Sequence, residues 1–263
     1  MSGRASARWA GVALAAQLGL VRAQDASPTP NSAEIENKAL TEALTDANNS
    51  NVDILRALEG FLKKYPQSFQ RGEVERLLAR ASVEVKDDRR IVLYGERVLV
   101  NSPDDMLLLD RVAHSLLTLG GRENATASLK YSKAFADNVL KLSAPEGADA
   151  ARKQDERDRG LARSLLYQAR AHVVLGEYQE AERLAAQSYS TYPAEESARE
   201  CALALEKQGR LKDSIQRLAD ALTVADSRAA DSDRVEDRRR LGELYRKLHH
   251  SEKGLGDVIL AAD

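Results

Sequence analysis

From Ala33 onward the order of apolar, charged and small residues predicts short helices separated by brief turn signals. The clearest stretch is Leu175-Gly176-Glu177-Tyr178-Gln179-Glu180-Ala181, followed by Ala185, Ser188 and Pro193. It predicts a helix, a tight glycine turn, a second helix and a proline stop. Gly176 supplies the positive backbone angle that ends the first helix. Small residues at every third or fourth place let two helices approach closely. Pro193 ends the second helix because it has no amide hydrogen to donate. Residues 91–100 are rich in β-branched side chains and in isolation fit a strand. Their place between helical stretches and before Asn101-Ser102-Pro103 predicts a helix.

The beginning of the chain reads differently. Arg4 and Arg8 precede an apolar stretch over residues 9–21, and Val21-Arg22-Ala23 has the form of a small-x-small cleavage site. Residues 1–23 therefore have the layout of a secretory signal peptide. An ordinary amphipathic N-terminal helix is the alternative. The apolar core is shorter than the roughly 20 residues a membrane-spanning helix needs, so no stable span is expected in the mature chain. Residues 24–32, polar and proline-containing, predict a disordered or extended leader. A helical domain over residues 33–263 follows, in an exported protein that is periplasmic or secreted and bacterial.

The helix–turn–helix unit resembles the tetratricopeptide repeat (TPR) family. That family repeats 34 residues, with small or apolar residues at places 8, 20 and 27, Gly near 15, an aromatic near 17 and Pro at 32. With Ala162 at place 1, Ala169, Gly176, Tyr178, Ala181, Ser188 and Pro193 fall at those places. A start at Glu195 brings Ala202, Gly209, Ser214 and Ala221 into phase. Weaker units start near residues 35, 72, 106 and 235, the last carrying Leu241-Gly242-Glu243-Leu244-Tyr245. The resemblance implies an all-α fold, a right-handed α-α superhelical solenoid of TPR-like helix pairs with a concave groove. Between the starts at 106 and 162 the spacing is 56 residues, and a charged insertion lies at about 143–160. This segment fits solvated loop, charged helix extension or a protruding contact surface.

Composition sharpens the picture. Hydrophobic residues make up 43% and charged residues 30%, which suits a folded chain. The formal net charge of -2 gives no electrostatic reason to expect nucleic acid. Cys201 is the one cysteine, so no disulfide forms within the chain, and its helical context predicts a buried apolar role. The four histidines, His114, His172, His249 and His250, lack the spacing of a metal site. No phosphate-binding glycine loop and no nucleophile elbow is present. No catalytic residue, metal or cofactor is expected. Asn48-Asn49-Ser50 and Asn124-Ala125-Thr126 match the glycosylation acceptor pattern, a match that arises often by chance.

The TPR resemblance implies a protein or peptide partner held on the concave face by first-helix residues. At those places stand Arg163, Arg170, Arg199, Arg239 and Arg246. They fit either a carboxylate clamp for an acidic segment or ion pairing with the neighbouring glutamates. Tyr167, Glu200 and Arg240 stand where the chaperone-tail-binding members keep an asparagine, so that specificity is not implied. The segment 244–257 resembles the join between TPR repeats and a thioredoxin-like domain in exported thiol–disulfide oxidoreductases. It implies an alternative role as the partner-positioning half of such a protein, with the finish at Ala261-Ala262-Asp263 lying in mid-helix.

Overall fold

The computed structural model describes residues 30–47, 50–142 and 146–263. They form twelve α-helices and no strand. In chain order these are α1 (Pro30–Asp46), α2 (Asn51–Lys64), α3 (Arg71–Glu84), α4 (Asp88–Asn101), α5 (Met106–Leu119) and α6 (Arg122–Lys141). Then come α7 (Ala150–Leu175), α8 (Tyr178–Thr191), α9 (Glu195–Lys207), α10 (Leu211–Thr223), α11 (Asp231–His249) and α12 (Leu255–Ala262). The expected leader ends earlier than read, because α1 already begins at Pro30. The residues of the expected signal peptide lie outside the described residues, as do Asn48 and Asn49.

Local chemistry sets the helix ends. The side chains of Asp87 and Asp105 accept hydrogen bonds from the amides of Arg90 and Leu108, at 3.1 and 3.0 Å. Each satisfies a donor that the first turn of a helix leaves free. Gly176 closes α7 with φ at 84°, a left-handed conformation that costs a residue with a Cβ.

Each helix packs on the next in sequence from α1 to α11, and the chain stacks as an α-α superhelical solenoid. Helix α7 also packs directly on α5 and on α9, so the first helices of successive pairs form one contiguous layer. At the C-terminal end α12 lies against α10. Among the described residues three apolar clusters fill the stack, the largest around Leu58, Leu78, Leu108 and Val112.

The small residues of the helix crossings are buried. Ala169, Ala181 and Ser188 have no exposed surface and Ala202 has 1%. Serines at these crossings also tie the two helices of a pair. Ser128, Ser188 and Ser214 donate to the carbonyls of Ala113, Ala162 and Ala202, at 2.9, 2.7 and 2.8 Å. A hydroxyl buried there would otherwise cost its full desolvation.

The irregular spacing resolves into longer helices. Helix α6 has 20 residues and α7 has 26. Ala162, read as the start of a repeat, lies inside α7, which begins at Ala150. Much of the charged insertion is therefore a helical extension, held by Arg152–Glu156 at 2.7 Å and Arg159–Asp155 at 2.5 Å one turn apart.

Candidate interaction site

The layer formed by α5, α7, α9 and α11 carries a ladder of ion pairs between successive first helices. Arg163 of α7 reaches Asp110 of α5 at 3.3 Å. Arg170 of α7 reaches Glu196 and Glu200 of α9 at 2.8 and 3.4 Å. Arg199 of α9 pairs with Glu195 at 2.8 Å and approaches Asp233 and Asp237 of α11 at 4.0 and 3.9 Å. Arg240 of α11 returns to Glu206 of α9 at 2.6 Å. Arg239 pairs with Glu236 and Glu243 on its own helix, and Arg246 with Glu252 at 3.0 Å. All five arginines marked for the groove thus carry carboxylates of the chain itself.

The remaining marked residues lie in the scaffold. Gly176 and Gly209 hold positive φ at helix ends, Tyr178 is half-buried at the start of α8, and Pro193 is exposed before α9. Cys201 is 2% exposed, and burial pushes its thiol up to about 11. His172 meets Glu177 at 2.5 Å. The described residues contain no cluster of His, Cys, Asp or Glu able to hold a metal ion, and no helix long and apolar enough to cross a membrane.

A cleft of about 710 Å³ opens where α5, α6 and the N-terminal extension of α7 meet. Met106, Phe135, Val139 and Leu142 give it an apolar floor. Gly160 borders that floor: a Cβ there would sit in ordinary contact with it, 3.5 Å from Val139 Cγ2 and 3.8 Å from Phe135 Cζ, so a larger side chain at this position would enter the cleft. The rim carries Lys153, Arg157, Arg159 and Arg163 against Glu146 and Glu156. Glu156 is engaged by Arg152. Lys153 and Arg157 form no ion pair among the described residues, and Arg157 donates to the Leu140 carbonyl at 3.3 Å. Arg159 donates to the Tyr192 hydroxyl at 3.1 Å and stacks over its ring at 5.1 Å. Arg228 stacks over the same ring at 5.4 Å. A second hollow beside it, bounded by Arg159, Arg163, Leu166 and Tyr192, carries the concavity toward α9.

Of the five groove arginines, Arg163 lines this cleft. Sequence reading singled out the charged stretch that holds Lys153, Arg157 and Gly160 but not the floor. Phe135 and Val139 come from the extension of α6, and their meeting with α7 is tertiary.

No protein-family model matches the chain, and no curated protein matches it significantly. Among solved structures it is similar to a thermophilic TPR protein of Thermus thermophilus, at 19% identity and a TM-score of 0.42, covering 80% of this chain and 98% of that one. It is also similar to a MamA double mutant from RS-1, at 14% identity and a TM-score of 0.45, covering 83% and 97%. A third likeness is to the Cut9–Hcn1 hetero-tetramer of APC/C, at 15% identity and a TM-score of 0.33, covering 88% of this chain and 48% of that one.

Proposed function

We propose that the protein is a non-catalytic interaction scaffold that receives an extended segment of a partner protein in the cleft between α5, α6 and α7. The observation that carries this reading is the pairing of an apolar floor with Lys153 and Arg157, cations that no carboxylate among the described residues engages. Concave apolar sites with a few oriented polar groups are where ligands bind. Spare positive charge on the rim favours an acidic segment carrying apolar anchors.

The test is selection from a displayed peptide library against the mature chain, with enrichment read by sequencing. Acidic sequences with one or two large apolar residues are the expected winners. Enrichment of basic sequences, or none at all, would reject the reading. The scaffold role also predicts no thiol–disulfide activity, because a thiol held up near 11 yields little thiolate at neutral pH. Insulin reduction above reagent background, lost in Cys201→Ser, would contradict it. Export is part of the same proposal and rests on the layout of residues 1–23. N-terminal sequencing of the mature protein should begin at Gln24, and recovery of Met1 there would sink it.

A further inference from the structure

Glu195 opens α9, and Asp237 faces it from α11. Both residues have no exposed surface. None of their four carboxylate oxygens meets a protein donor in hydrogen-bond geometry among the described residues. One guanidinium serves both, with Arg199 2.8 Å from Glu195 and 3.9 Å from Asp237.

The surrounding charges do not relieve the pair. Asp233 of α11 stands 4.0 Å from Arg199 and adds negative charge. Asp226, in the connection before α11, accepts from the Glu195 amide at 3.3 Å and holds Arg228 at 3.0 Å. On α7, Arg170 is engaged by Glu196 and Glu200, and on α11, Arg240 by Glu206. Arg217 and Asp220 of α10 pair with each other at 3.0 Å. The contact from α8 is the neutral one of Ser188 with Ser197, at 2.7 Å.

Two ionised carboxylates against one arginine would leave surplus negative charge in a water-excluded place, at a heavy desolvation cost. One proton between them removes the surplus and supplies the missing donor. We propose that Glu195 and Asp237 form a proton-held latch that fastens α11 to α9 and releases it when the proton is lost. Burial, first, and the facing Asp237 carboxyl push the Glu195 carboxyl up to about 8, against the pull of Arg199. The folded-state value is raised, so the latch's contribution is full below the ordinary carboxylate value of 4.5 and is lost as pH rises through about 8. The C-terminal helices are therefore held most firmly in mildly acidic solution. The latch is independent of what the cleft binds.

Hydrogen exchange of the full chain tests this, read by mass spectrometry on peptides from α11 and corrected for the intrinsic pH dependence of exchange. Between pH 5.5 and pH 8.5 the protection of α11 should fall on the order of a hundredfold, since linkage allows up to about tenfold per pH unit. Peptides from α3 and α4 should hold theirs. Glu195→Gln, which mimics the protonated group, should keep α11 protected to pH 8.5. Asp237→Asn is the second variant should the first not fold. Equal α11 protection at both pH values in the parent, or an unchanged fall in a folded variant, would overturn the proposal.

Discussion

Ala181 and Gly95 mark what the helix crossings tolerate. Ala181, on α8, is wholly buried. Ala181→Arg should cost several kcal/mol, on the order of 3 or more, by overpacking and by burying an unpaired charge. An unchanged melting temperature would show that this crossing is not as packed as described. Gly95 gives a sharper contrast. A Cβ there would fall 2.5 Å from Val112 Cγ2, whereas Gly60, exposed on α2, has nothing within 4 Å. Gly95→Ala should lower stability by about 1–3 kcal/mol through overpacking. Gly60→Ala should raise it by about 0.5–1 kcal/mol, the gain of replacing a helical glycine. Denaturant melts of both read the signs, and the same sign for both would contradict the packing. Ala169, Ala181 and Ser188 were legible in the sequence because close helix crossings restrict side-chain size at regular intervals. The need for glycine at 95 was not, because Val112, which imposes it, lies on another helix.

At the scale of helices, punctuation carried much of the architecture. Gly176 and Pro193 mark ends that backbone angles and missing donors impose locally. The lengths of α6 and α7 were harder to read. Mixed charge over residues 146–160 suits a loop or a helix equally, and only neighbouring pairs such as Arg152–Glu156 decide it. The connection from α10 to α11 is likewise held by a side chain from outside it. Arg234 donates to the carbonyls of Leu222, Val224 and Asp226, at 3.1, 3.4 and 3.1 Å. Arg234→Met keeps the aliphatic stem and removes the donors. It should destabilise by about 1–3 kcal/mol, with the loss concentrated in hydrogen exchange of residues 224–249. Full protection of that stretch in the variant would show that the connection is held by other means.

For the molecule as a whole, the ion-pair ladder and the cleft divide the charged residues between two roles. Arg163, Arg170 and Arg199 link successive first helices through carboxylates of the chain, so their charge is already met within the fold. Those arginines were visible as first-helix residues. Which carboxylates they meet depends on how the pairs stack, and that is not written at any one position. Lys153 and Arg157 stand without an ion pair among the described residues, beside a floor that only the folded chain assembles. The most direct measurement is fluorescence anisotropy of a selected acidic–apolar peptide, titrated with the parent, with the Lys153→Glu/Arg157→Glu double variant and with Gly160→Leu. The charge reversal removes the attraction at the rim, and the added leucine fills the floor. Both variants should stay folded, read by circular dichroism, and bind at least about tenfold more weakly, a loss of about 1.4 kcal/mol or more. Folded variants that bind the peptide as tightly as the parent would contradict the cleft as the site of partner binding.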